Sequence, residues 1–157
     1  MIDARARALT EHERRFLAEL GTHGVRFLVV GMTAAVLQGA RGVTEDIDLW
    51  FERLDDPRIS DAARAAGGFY VSGSFGLRPP ALGGELGERF DVVTNVDGAD
   101  AFEMELVRAI TVDVDGIALP LMPLERVLAS KRASGRPKDL AQIPALEEAV
   151  AVAKSKD

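Results

Sequence analysis

Asp46 and Asp48 stand two residues apart in GVTEDIDLWFE (residues 42–52), and Asp91 interrupts the otherwise apolar run RFDVVTNV (89–96). Side chains alternate faces along an extended strand. Thr44, Asp46 and Asp48 are therefore expected on one face, and Val43, Ile47 and Leu49 on the other, against a core. Two neighbouring carboxylates raise each other's cost of ionisation, and a divalent cation between them relieves it. Oxygen ligands suit Mg²⁺, which keeps several waters and shares its sites with substrate phosphates. Two such ions roughly 3.5–4 Å apart clamp the attacking and leaving oxygens of a phosphoryl displacement. The pair thus reads as a metal platform. An acid within an apolar strand needs a partner to be tolerated, so Asp91 is the candidate third ligand. Asp97, Asp113 and Asp115 lie beside turns and are weaker alternatives.

The surrounding elements must position these acids. Thr10 and Glu13 form the capping-box pattern of a helix whose apolar stripe is Phe16, Leu17 and Leu20, ending at GTHG. VRFLVV (25–30) predicts a buried strand that runs into Gly31 and a short helix, MTAAVLQ, stopped by Gly39. Free N–H groups at that helix start would face phosphate oxygens beside the acids. Asp56 as N-cap, Pro57 at the first helical position and Gly67–Gly68 beyond the end bound a further helix. FYVS predicts a short strand, and residues 73–88 read as a Gly- and Pro-rich loop or flap. After the strand holding Asp91 come a helix in ADAFEMELVRA, a hairpin turning at Asp115–Gly116, and two closing helical segments, LERVLASKRAS and DLAQIPALEEAVAVAKS. Gly135 and Pro137 separate those two. Lys131, Arg132, Arg136 and Lys138 cluster four positive charges within eight residues.

Together these pieces resemble the nucleotidyltransferase superfamily that includes DNA polymerase β. The likeness is nearest to small bacterial nucleotidyltransferase-like proteins, relatives of minimal nucleotidyltransferases and abortive-infection toxins. It spans Val25 to Leu146 and rests on FLVVGMTAAVLQGARGVTEDIDLW, RFDVVTNVDGADAF and the segment ending in KRASGRPKDLAQIPAL. The family pattern is a strand ending in Gly-Gly or Gly-Ser, a short helix, Arg-x-Thr-x-Asp-x-Asp and a later Asp. Gly31, Arg41, Thr44, Asp46, Asp48 and Asp91 match it; Met32 replaces the second Gly or Ser, and Thr33 follows. The resemblance implies an α/β (α+β) nucleotidyltransferase fold, with a small mixed β-sheet flanked by helices. It implies Asp46, Asp48 and Asp91 as catalytic metal ligands for two Mg²⁺ ions. An NTP such as ATP would be bound by Gly31, Thr33, Arg41, Thr44, Lys131, Arg136 and Lys138. The activity implied is transfer of an NMP to an acceptor that could be RNA such as tRNA, a protein or a small molecule, in a possible toxin–antitoxin setting. Two alternatives are a catalytically silent binding module working as a toxin or antitoxin partner, favoured by Met32, and an antibiotic adenylyltransferase.

Bulk composition narrows the classes further. The 157 residues, 47% hydrophobic, suit one domain over residues 1–157. With 19 Lys and Arg against 25 Asp and Glu, the net charge of −6 argues against wrapping a long nucleic acid. The absence of cysteine excludes disulfides and thiol catalysis, and two histidines cannot build a Cys/His zinc site. No apolar run approaches membrane-spanning length and the N-terminus lacks a signal-peptide core, so a cytoplasmic protein without a membrane partner is expected.

Overall fold

The computed structural model describes residues 9–73 and 78–156. Its centre is a five-stranded mixed sheet in the order β5-β2-β1-β7-β6. These strands are β1 (Phe27–Val30), β2 (Ile47–Phe51), β5 (Phe90–Val92), β6 (Ile110–Val114) and β7 (Ile117–Leu121). β1 lies in the middle, and all four of its residues are buried, as its unbroken apolar run requires. It pairs antiparallel with β2 and parallel with β7, while β2 pairs parallel with β5. β6 and β7 form the expected hairpin, and both turn residues, Asp115 and Gly116, adopt positive φ.

Helices cover both faces. On one, α1 (Glu11–Thr22) buries Phe16, Leu17 and Leu20, and the Phe16 ring meets Phe90 edge-on at 5.2 Å. Its Thr10–Glu13 capping box is complete: Glu13 N donates to Thr10 Oγ1 and Thr10 N to Glu13 Oε1. The helix runs through Gly21 and ends at His23, slightly later than expected. α3 (Pro57–Ala65) is capped by Asp56, whose carboxylate accepts from Arg58 N. On the other face, α4 (Phe102–Arg108) sets Phe102 edge-on against Trp50 of β2. α5 (Leu124–Ser134) is tied to α2 (Gly31–Leu37) through Gln38, whose side chain donates to Met122 O and accepts from Leu124 N.

Four expectations need correction. The strand predicted over 42–52 begins only at Ile47, so Val43 is 80% exposed rather than in the core and Asp46 precedes the strand. The region expected as a loop or flap contains β4 (Ala81–Gly84), which pairs antiparallel with β3 (Gly68–Val71); positions 74–77 of that stretch lie outside the described residues. The helix expected from Asp139 onward is two, α6 (Pro137–Leu140) and α7 (Ile143–Ser155). Pro144 explains the break, because it has no N–H to continue α6 yet suits the first turn of α7. Finally, α4 starts at Phe102 instead of Ala99.

Candidate active site

The β2 register decides where the acids go. Ile47, Leu49 and Phe51 are buried, and Asp48 and Trp50 alternate to the opposite face. In the parallel β2–β5 pair Asp48 is level with Asp91, so the two carboxylates leave the same face from adjacent strands. Asp46 reaches the same place from the loop before β2. All three line one open cleft of about 830 Å³. Asp48 is half-buried, and burial, with the charges of Asp91 and Asp46 added, pushes its carboxyl up to about 6; Lys131 and Lys138 oppose that rise.

Gly31 is required at the junction of β1 and α2. Its φ is +69°, and a Cβ there would collide with Asp48 Oδ2. Only glycine lets the backbone lie against that carboxylate. Met32 follows, buried, with its methyl end directed toward Gly42 at the rim of the cleft. Thr33 is not placed as expected for a phosphate contact. Its hydroxyl donates to the Asp46 backbone carbonyl, and the Thr44 hydroxyl lies 2.9 Å from both that carbonyl and Thr33 Oγ1. The two threonines therefore fix the loop that presents Asp46. A second buried device holds this loop from behind. Arg89 forms an ion pair with Glu13 at 3.0 Å and donates through Nε to the Glu45 carbonyl.

The opposite wall of the cleft is basic. Lys131 near the end of α5 and Arg136 and Lys138 around α6 all line it. Arg41 does not join them. It pairs with Glu148 of α7 at 3.0 Å and borders a separate hollow of about 510 Å³ alongside Gln38 and Val152. Arg41 is therefore not among the residues lining the cleft that holds the acids.

Sequence reasoning missed Asp139, Asn95 and Gln142, which also line the cleft. Asp139 is 3% exposed and accepts from Lys131 Nζ (3.1 Å), Arg136 Nε (2.8 Å) and Ser134 Oγ. Burial alone would raise its carboxyl. The hydrogen bonds from Ser134, Lys131 and Arg136 win and hold it at about 2. An acid immediately after a basic cluster was the available signal.

The donor set suits a hard cation: oxygen ligands only, one of them a carboxyl whose ionisation is opposed by its neighbours. Yet among the described residues no three His, Cys, Asp or Glu side chains converge closely enough to hold a metal by themselves.

Comparison with known proteins adds the fold. No family profile matches the chain. Nor does any curated protein. Among solved structures, it is similar to ANT(2")-Ia in complex with adenylyl-2"-tobramycin, with a TM-score of 0.58 and 14% identity over 91% of this chain and 90% of that one. It is also similar to an antigenic nucleotidyltransferase-like protein from Paracoccidioides brasiliensis, with a TM-score of 0.53 and 16% identity over 83% and 71% of the two chains. The fold is thus nucleotidyltransferase-like, a small mixed sheet between helices. No helix among the described residues is long and apolar enough to cross a membrane.

Proposed function

We propose that this chain is a Mg²⁺-dependent nucleotidyltransferase that moves an NMP from an NTP to an acceptor. The observation that carries the reading is the Asp48–Asp91 pair, level on adjacent strands and facing Lys131 and Lys138 across one cleft. Asp46, Asp48 and Asp91 would hold the magnesium, which supplies charge neutralisation on the phosphates and a clamp for the entering and leaving oxygens. Lys131, Arg136 and Lys138 would bind the triphosphate by charge and limit the cost of negative charge developing on it. Gly31 admits the phosphates to the backbone edge next to Asp48. Asp91, exposed on the edge strand β5, would accept the proton of the attacking hydroxyl. Burial and the neighbouring acids raise the metal-free Asp48 carboxyl to about 6, so a bound cation would have to compete with its proton.

A second feature bears on the acceptor. Val93 and Thr94 are shared between the cleft and an adjoining recess of about 330 Å³ walled by Trp50, Glu52 and Asp55. Acid and aromatic surface beside an acidic cleft repels a polyanion such as RNA and suits a cationic hydroxyl compound. This favours the small-molecule adenylyltransferase reading, and the ANT(2")-Ia neighbour is seen in complex with adenylyl-2"-tobramycin. The same reading keeps the protein in the cytoplasm. A cognate toxin or antitoxin is the partner it would have if the acceptor is a cellular macromolecule.

The test is incubation of the full chain and Mg²⁺ with each α-labelled NTP and separate pools of RNA, protein and polycationic hydroxylated small molecules. Label is expected in the small-molecule pool. Label in RNA or protein would retain nucleotidyl transfer and overturn the acceptor assignment. No label anywhere, with no Mg²⁺-dependent NTP binding, would leave a silent module of this fold.

A further inference from the structure

A buried carboxylate behind the basic wall presents a contradiction. A site for a polyanion gains by positive charge, yet Asp139 sits 3.1 Å from Lys131 Nζ and 2.8 Å from Arg136 Nε. Its own side chain is 5% exposed and the lysine's 17%, so this is an interior contact, whereas the Arg136 side chain is 73% exposed. Chain geometry builds the contact deliberately. α5 ends at Gly135 in the left-handed conformation with φ 65°, Arg136 caps α6, and Pro137 starts it. That sharp reversal returns Asp139 beneath the last turn of α5, where Ser134 Oγ also donates to it. Three donors converge on one carboxylate, and two of those residues are cations that line the cleft.

We infer that Asp139 is a positioning residue for the triphosphate-binding wall, holding Lys131 and Arg136 extended toward the acids of β2 and β5. The inference rests on the nucleotidyltransferase reading. A free lysine has a long flexible side chain and loses rotamer entropy on binding. Anchoring it in advance removes part of that loss from the binding step. Lys138 lines the same cleft and makes no ion pair among the described residues; with Lys131 and Arg136 against Asp139 it leaves the wall at net +2 (three cations minus one anion).

The sign of one substitution separates positioning from simple charge. Asp139→Asn removes a negative charge beside a polyanion site, so Coulomb's law alone predicts tighter nucleotide binding. Positioning predicts weaker binding, about tenfold for a charged hydrogen bond no longer held in place. Two measurements on the full chain test this. Calorimetry gives the affinity of parent, Asp139→Asn and Ser134→Ala for ATP, GTP, CTP and UTP with Mg²⁺. Acetylation rate by a water-soluble acylating reagent, read at Lys131 by mass spectrometry, reports whether the amine is released. Expected are faster acetylation of Lys131 and about tenfold weaker binding in Asp139→Asn, with a smaller change of the same sign in Ser134→Ala, the variant to rely on if the first unfolds. Unchanged or tighter binding, or unchanged Lys131 reactivity, overturns the inference alone. A parent that binds none of the four nucleotides overturns the functional reading, and the inference falls with it.

Discussion

Asp48→Asn should make the metal-free protein more stable, and the gain should depend on pH. Burial and the charges of Asp91 and Asp46 raise the Asp48 carboxyl from 3.8 to about 6 in the folded chain. A carboxyl raised on folding favours the native state while protonated and loses that contribution as pH climbs from its unfolded toward its folded value. The loss therefore accumulates between about pH 4 and pH 6, and is constant above. Moving the group from 3.8 to about 6 corresponds to about 3 kcal/mol, since each pH unit is worth about 1.4. The asparagine amide still has to be desolvated, so the observed gain near pH 7.5 should be about 1–3 kcal/mol. Near pH 4 most of it disappears, leaving less than about 0.5 kcal/mol.

Urea denaturation of parent and variant at the two pH values reads this directly, and a melting shift of about 2–4 °C per kcal/mol offers a check. Millimolar Mg²⁺ should narrow the gap by stabilising the parent and not the variant. A variant less stable than the parent near pH 7.5 would mean that the Asp48 charge is satisfied in the native state. An equal gap at both pH values would mean that packing, not ionisation, sets it. Either result removes the physical argument for a cation at this pair.

Two further substitutions examine the frame around that carboxylate. Gly31→Ala should lower stability by about 1–3 kcal/mol, because alanine is strained at φ +69° and its methyl displaces Asp48; an unchanged urea midpoint would refute the close approach. Thr33→Val should cost about 1 kcal/mol through the lost bond to the Asp46 carbonyl and weaken Mg²⁺–NTP binding only modestly. Unaltered stability with abolished binding would instead return Thr33 to the phosphate role that its place in the sequence suggests.

Local signals were readable where local physics decides. The Thr10–Glu13 box, the Asp56–Pro57 start and the Asp115–Gly116 hairpin each depend on a few consecutive residues, and each formed as expected. The alternation of Ile47, Asp48 and Leu49 placed Asp48 on the polar face, and Asp91 was an acid in an apolar strand before its level pairing was known. What failed depends on contacts distant in sequence. Residues 42–46 alternate like a strand, but Thr33 and Arg89 capture the carbonyls of Asp46 and Glu45, and so the ladder begins at Ile47. Glycines in β4 argue against a strand by propensity; in the fold the Phe69 ring lies across Gly83, in space that any side chain would fill. Arg41 fits the family spacing, yet Glu148, more than a hundred residues on, claims its guanidinium.

The two walls of the cleft are held by different means, and that difference governs how each can fail. The acids depend on the sheet: the register of β2 against β1 and β5 fixes Asp48 and Asp91, and buried strands do not shift by part of a residue. The bases depend on how α5 docks. Gln38 ties its start to α2, Glu105 accepts from Arg126 at 2.6 Å while fully buried, and Gly98 sits where a Cβ would press into Ala133. Glu105, Gly98 and Asp139 all act on this one helix, from three different segments. A change at any of them moves Lys131 relative to a carboxylate pair that stays still. The distance between charge and counter-charge across the cleft is therefore set by helix docking, while the spacing within the acidic pair is set by the sheet. Substitutions that loosen α5 should spare the acids' geometry and alter the grip on phosphate, whereas substitutions in β2 or β5 should do the reverse.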